Sequence, residues 1–180
     1  MSATSIRSAA LFAVMLLGLE GAAAADSSDG GGLFGAKSAR PQTPVVLPPA
    51  PSDLLRVHVT NPGSMQFFVD GKSISVEPGH IVRYTLVAKT AEGPRNVSYE
   101  GIDCVQRQWK LYAVWRNGAG KWEPTQDTWH DIPAQSVQRI HSTLYDDNFC
   151  KDFGVDGTAG DIARRIGRGL RAVQHVGDGP

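Results

Sequence analysis

The chain has 180 residues, of which 41% are hydrophobic, and its 18 basic and 18 acidic side chains leave no net charge. A chain without excess positive charge is not expected to bind nucleic acid. The length suits one domain with a single core.

Residues 1–25 have the composition of a secretory signal peptide. Arg7 precedes an apolar stretch that ends at Glu20, and small residues then run from Gly21 to Ala25. This order predicts export with cleavage after Ala25. The apolar stretch is too short for a permanent membrane span, and neither cysteine stands near the cleavage site to accept a lipid. We therefore expect a soluble mature protein in the periplasm, with display at the cell surface as the alternative.

Residues 26–53 combine three consecutive glycines with five prolines. Such a composition buries little apolar surface, so it predicts a disordered tail that is extended in its proline-rich second half. A single folded domain is then expected over residues 54–175.

Alternating apolar and polar side chains predict the first strands in residues 55–59 and 66–69. Asp70 and Gly71 tolerate the positive φ of a turn, and we expect the chain to turn there before a further short strand over 74–76.

The clearest strand patterns cover residues 80–89, 96–102 and 105–116. In the last of these, Trp109 and Trp115 are expected on the same face. Connections this short join antiparallel strands, so about five or six strands should form a meander.

The apolar spacing changes to a helical period beyond Pro133. It continues to about Phe149, with Ser136 as a candidate N-cap, and a weaker helical pattern covers residues 158–173. The predicted fold class is α+β, an antiparallel sheet packed by one or two C-terminal helices.

Cys104 and Cys150 are the two cysteines of the chain. In an exported protein they are most simply interpreted as one disulfide, the alternative being two separate buried thiols. The bridge would join the predicted helix ending near Cys150 to the sheet.

Several short motifs resemble those of one protein family. They are Phe67-Phe68-Val69-Asp70, Val82-Arg83-Tyr84-Thr85-Leu86-Val87, Asn96-Val97-Ser98-Tyr99-Glu100-Gly101-Ile102, Tyr112-Ala113-Val114 and Phe149-Cys150. In these motifs the chain resembles the CNP-one-like (cryptic neisserial protein-like) family, over roughly residues 55–170. The resemblance implies an envelope protein of Gram-negative bacteria, exported or lipid-anchored, with no established activity.

His130 departs from the arginine that the family tends to show at this position. A weaker similarity, of pattern only, links the chain to surface adhesins of the protein E type.

The bridge would bring four polar residues near one another, Tyr99, Glu100, Arg139 and His141. A carboxylate, a guanidinium and an imidazole could bind a small anion or act in acid–base catalysis. The alternative is a buried network that ties the helix to the sheet.

Four tryptophans within a short stretch could line a groove for sugar rings or peptide side chains. They are Trp109, Trp115, Trp122 and Trp129. Packing in the core is the competing interpretation for at least two of them.

The sequence contains none of the zinc-binding or nucleophile motifs HExxH, CxxC and GxSxG, and its histidines are scattered singly. We therefore expect no metal and no cofactor. The leading hypothesis is a non-enzymatic binding or structural module whose partner is another envelope protein or a cell-wall component. A small ligand-binding or hydrolytic enzyme using Glu100, Arg139 and His141, and an adhesin for host proteins, are the alternatives.

Overall fold

Alternating side chains along the strands place the main apolar core on one side of an antiparallel sheet. A computed structural model describes residues 43–60, 62–90, 93, 95–133 and 139–177, with 170–177 as backbone only. The predicted signal peptide and residues 26–42 of the predicted tail lie outside these ranges.

Seven strands form the main sheet within the described residues. They are β1 (Leu54–Val57), β2 (Gln66–Glu77), β3 (Ile81–Lys89), β4 (Asn96–Asp103), β5 (Gln108–Arg116), β6 (Lys121–Pro124) and β7 (His130–Asp131). Each of β1 to β5 pairs antiparallel with the next strand in the chain, and β7 returns to pair with β5. The predicted meander is confirmed.

The expected turn at Asp70 and Gly71 is wrong, because β2 continues through these residues with a register shift that ends at Ser75. The carboxylate of Asp70 instead accepts hydrogen bonds from the backbone N–H of Ser52 (3.1 Å) and Asp53 (2.7 Å). The Gly71 N–H donates to the Asp53 carbonyl at 2.7 Å. A Cβ at Gly71 would lie 2.6 Å from the Asp53 carboxylate, so glycine lets the incoming chain approach the strand.

A helical layer covers one face of the sheet. It consists of α1 (Arg139–Thr143), a π-helical segment (Leu144–Phe149), a small hairpin of β8 (Cys150–Lys151) and β9 (Gly154–Val155), and α2 (Ala159–Gly177). The candidate cap Ser136 lies outside the described residues. Among the described residues, no helix is long and apolar enough to cross a membrane.

Helix α2 begins with a reciprocal cap. The Asp161 N–H donates to Thr158 Oγ1 at 3.3 Å, and the Asp161 carboxylate accepts from the Thr158 N–H at 2.9 Å. Two backbone donors at the first turn are thereby satisfied. Arg165, one turn further, donates to the carbonyls of Asn148 and Asp156 and so fastens the helix to the layer below it.

The core lies between this layer and the sheet. Its fully buried side chains include Val69, Val82, Tyr84, Ile102, Leu144, Phe149 and Ile162. The rings of Tyr84 and Phe149 meet edge to face with their centroids 4.9 Å apart. Large side chains from β3, β4, the π-helical segment and α2 therefore share one apolar cluster.

A disulfide joins Cys104 to Cys150, as predicted, with the two Cα atoms 5.4 Å apart. The Tyr145 hydroxyl donates to the Cys104 carbonyl at 2.8 Å. In the neighbouring turn Arg107 makes two parallel hydrogen bonds to the Asp146 carboxylate, at 2.7 and 2.8 Å. The turn between β4 and β5 is thus fixed by polar contacts to the π-helical segment and by the disulfide to Cys150, the residue that follows it.

Part of the predicted tail differs from the expectation of disorder, because residues 43–53 contact the domain. Arg83 donates to the carbonyls of Thr43 and Pro44, both at 2.9 Å, and the Trp122 indole N–H donates to the Pro48 carbonyl at 2.6 Å. Composition could not predict these hydrogen bonds, because the donors are side chains far along the chain and the acceptors are backbone carbonyls.

We predict that replacing both cysteines, Cys104→Ser with Cys150→Ser, lowers the free energy of unfolding by about 4 kcal/mol, since an open loop of 46 residues adds entropy to the unfolded chain. Urea denaturation of the variant and of wild-type protein, each with and without reductant, measures the loss. Reductant should destabilise only the wild type. A wild type that reductant leaves unchanged would contradict the structural role of the bridge.

Candidate functional site

A buried carboxylate, Glu100, lies at the centre of the helix-covered face. It accepts hydrogen bonds from the Tyr84 hydroxyl (2.9 Å) and the Ser98 hydroxyl (2.5 Å), and its Oε2 lies 2.9 Å from His141 Nε2. Tyr84 is the direct cross-strand neighbour of Glu100, and Ser98 lies two residues earlier on the same face of β4. The register of β3 and β4 therefore assembles the site, and α1 adds the imidazole.

Trp109 closes the side of this network. Its ring stacks on that of His141, with the centroids 4.0 Å apart and the planes 12° from parallel. His130, the cross-strand neighbour of Trp109 in β7, has its ring centroid 5.1 Å from that of Trp109 and is hydrogen-bonded to the Asp127 carboxylate at 2.7 Å. Burial raises the pKa of Asp127, but the bonds from His130 and from backbone N–H groups outweigh it and leave that pKa lowered.

The environment of Glu100 favours its ionised form. Burial acts to raise the pKa of its carboxyl, but the hydrogen bond and charge of His141, with the hydroxyls of Ser98 and Tyr84, lower the pKa below its usual value. For Tyr84, burial and then the neighbouring carboxylate raise the pKa of the phenol well above its usual value. Tyr84 is therefore a neutral hydrogen-bond donor to a charged acceptor.

The structure brings together two of the four candidate polar residues, Glu100 and His141. Tyr99 projects to the opposite face, because successive residues of a strand point to opposite sides. Arg139, two residues before His141 on α1, is exposed at the start of the helix, since residues two apart on a helix do not face the same way. Side-chain direction therefore separates the cluster that the predicted bridge suggested.

Glu100 and His141 leave little room for chemistry on a ligand. They are 4% and 7% exposed, and Glu100 already accepts three hydrogen bonds. A carboxylate with this many partners is well compensated for its burial. The geometry fits a polar tie between α1 and the sheet.

The opposite face of the sheet carries most of the tryptophans. Trp115 and Trp122 form a cross-strand pair with ring centroids 5.2 Å apart, and Tyr99 lies 6.1 Å from Trp122. Tyr112 meets Trp129 edge to face at 6.4 Å. We call these five residues the aromatic face.

Trp109 does not belong to the aromatic face, and the expectation that it shares a side with Trp115 is wrong. The register of β4 and β5 shifts between Tyr99 and Glu100, so that Tyr112 is an extra residue in β5. Such a bulge reverses the alternation of the residues that follow. Trp109 therefore packs on His141, while Trp115 lies on the aromatic face.

A cleft of about 300 Å³ opens at one end of the aromatic face. Arg83 and Lys110 supply positive charge to its walls, Tyr112 and Trp129 supply rings, and residues 43–47 form one side. The Arg83 guanidinium lies 5.3 Å from the centre of the Tyr112 ring. We call this the basic cleft.

Two buried polar atoms in the basic cleft have no hydrogen-bond partner among the described residues. They are the Arg83 Nε and the Thr43 Oγ1. Arg83 is only 5% exposed, and the Glu77 carboxylate lies 3.7 Å from its Nη1. A buried donor without a hydrogen-bond partner costs free energy, so the cleft suits a ligand with an acceptor group.

Ligands for a metal ion do not cluster in the described part of the chain, where no group of three or more His, Cys, Asp or Glu residues could hold one.

With this geometry in place, comparison with known proteins gives one result: the family model described as the CNP1-like family matches residues 37–167. The chain therefore belongs to the CNP1-like family, as the motifs predicted. The match begins before β1 and includes the proline-rich residues that contact the aromatic face. Neither the curated proteins nor the solved structures gave a match.

We predict that Glu100→Gln lowers the free energy of unfolding by about 2 kcal/mol at pH 7, since charge-assisted hydrogen bonds are lost. The folded-state pKa of Glu100 lies below its unfolded value of about 4.3. Its stabilising effect is thus complete above that value and is lost as the pH falls through the folded-state pKa. Urea denaturation between pH 7 and pH 3 should show wild type and variant converging on acidification.

Glu123→Gln is the matched control, because Glu123 is exposed and pairs with Arg116 at the surface. It should change stability little at any pH. A difference between wild type and Glu100→Gln that stays constant down to pH 3 would contradict the ionised, buried carboxylate.

Proposed function

We propose that this protein is an exported, non-enzymatic component of the bacterial cell envelope that binds a partner through the aromatic face and its basic cleft. The observation that carries the proposal is the basic cleft itself. It combines two cations, Arg83 and Lys110, with aromatic walls and with the buried Arg83 Nε, which lacks a hydrogen-bond partner among the described residues. Aromatic and arginine side chains are the residues most often used as anchors in binding sites.

The position of the basic cleft also supports binding. The helix-covered face is filled by the apolar core and by the Glu100–His141 pair. The aromatic face carries large rings, with Trp115 and Trp122 both only half-buried. Half-buried rings with polar edges suit a surface that faces water in the free protein and contacts a partner in the complex.

An enzyme that uses Glu100, Arg139 and His141 has less support. A general base must come within hydrogen-bond reach of its substrate, whereas Glu100 and His141 are buried and bonded to each other and Arg139 is exposed. No observation on the described residues favours the adhesin alternative over an envelope partner.

Export is proposed from the N-terminal 25 residues and from the disulfide. Bridges of this kind persist in oxidising compartments and are rare in the cytosol. A periplasmic location therefore agrees with the covalent structure, and partners would be other envelope proteins or cell-wall components.

We predict that Lys110→Glu reduces capture of the envelope partner at least about tenfold, because it places a negative charge in the basic cleft. Immobilised full-length protein would be incubated with envelope extract and, separately, with purified cell-wall sacculi. Bound components would be compared quantitatively by mass spectrometry.

Lys151→Glu is the matched control, because it makes the same charge change at an exposed residue of β8. It should retain the partner that Lys110→Glu loses. Equal capture by the two variants would show that the basic cleft is not the binding site.

A further inference from the structure

The aromatic face already holds a peptide, residues 43–49 of the same chain, which contain three prolines. We call this segment the strap. We propose that the aromatic face is a binding groove for proline-rich extended peptides, and that the strap occupies it as a built-in ligand which a partner's proline-rich segment replaces. This inference rests on the proposed function and names the class of partner.

The contact at Trp122 is the first support. Its indole N–H donates to the Pro48 carbonyl at 2.6 Å, and Trp115 and Tyr99 pack around the same indole. A polyproline-type segment has no internal hydrogen bonds and presents its carbonyls outward. Aromatic grooves recognise such segments by ring packing together with donors to these carbonyls.

The contact at Arg83 is the second. Its two terminal nitrogens donate to the carbonyls of Thr43 and Pro44, both at 2.9 Å. The groove therefore holds the strap at two points, near its beginning and near Pro48. Both contacts use backbone carbonyls of the strap, so another extended chain with prolines at the same spacing could make them.

Four of the seven strap residues are exposed and the other three are only half-buried, so the strap contributes little to the core. Val45 is 42% exposed and Val46 is 77% exposed, whereas apolar side chains that stabilise a core are buried. Downstream, the backbone N–H groups of Ser52 and Asp53 are held separately by Asp70. Release of the strap thus leaves β1 and the sheet in place.

Competition explains how such a groove would be regulated. A tethered ligand acts at an effective concentration on the order of millimolar, so a free peptide of the same affinity binds poorly while the strap is seated. Weakening the strap without changing the groove should therefore reveal binding. Pro44→Gly with Pro48→Gly does this, because glycine raises the entropy that the strap loses on seating.

The test uses full-length protein and a fluorescent synthetic peptide of residues 43–51. By fluorescence anisotropy, the Pro44→Gly and Pro48→Gly variant should bind the peptide at least about tenfold more tightly than the wild type. Adding Trp122→Phe to that variant removes the indole donor and should reverse the gain. A control peptide with glycine in place of every proline should not bind.

A second measurement uses the Pro44→Gly and Pro48→Gly variant, in which the Trp122 indole has partly lost its acceptor. Saturating peptide should return the indole N–H resonance of Trp122 to the position that it has in the wild type, while that of Trp109, which stacks on His141 on the other face, stays unchanged.

The inference is overturned if the strap-weakened variant, folded by its thermal melting curve, shows no saturable binding up to about 1 mM peptide, or if Trp122→Phe leaves the binding unchanged. It is also overturned if the peptide leaves the Trp122 resonance unmoved.

Should these tests fail while Lys110→Glu still abolishes capture of the envelope partner, the binding function stands and the proline-rich class of partner is wrong. Should Lys110→Glu and Lys151→Glu also capture alike, the proposed function fails as well.

Discussion

One covalent link, between Cys104 and Cys150, holds the helical layer against the face of the sheet that carries the apolar core. Cys104 lies in the turn between β4 and β5, and Cys150 directly follows the π-helical segment. The bridge therefore joins parts of the chain that are 46 residues apart. The imidazole of His141 then reaches the Glu100 carboxylate, and Trp109 packs on it. The buried polar pair is a consequence of this placement, since without the layer Glu100 would face water.

Because the layer covers one face, the other is free to carry different residues. A single extra residue at Tyr112 turns the end of β5 over, so that Trp115 joins Trp122 on the second face. The proline-rich residues 43–49 then meet donors from Arg83 and Trp122. The two faces thus divide stability and, in our proposal, partner binding between them.

Periodic features of the fold were predictable from sequence, and local irregularities were not. The alternation of apolar residues predicted the meander, and the cysteines predicted the bridge. The turn predicted at Asp70 and Gly71 was wrong, because the role of this pair in receiving the incoming chain depends on tertiary contacts that the sequence does not show. Tyr99 and Arg139 were grouped with Glu100 and His141 because the predicted bridge brings the strand and the helix together, although strand and helix geometry point them elsewhere. The contacts of the proline-rich segment with the domain were not predicted, because composition does not reveal hydrogen-bond donors on strands far along the chain.

Peptide mapping of the native protein, alkylated as the cells are lysed and digested without reductant, tests the central constraint most directly. We expect one cross-linked peptide pair containing Cys104 and Cys150, and a mature N-terminus that begins at Asp26. Two alkylated thiols would contradict both the covalent attachment of the helical layer and the export proposed from it.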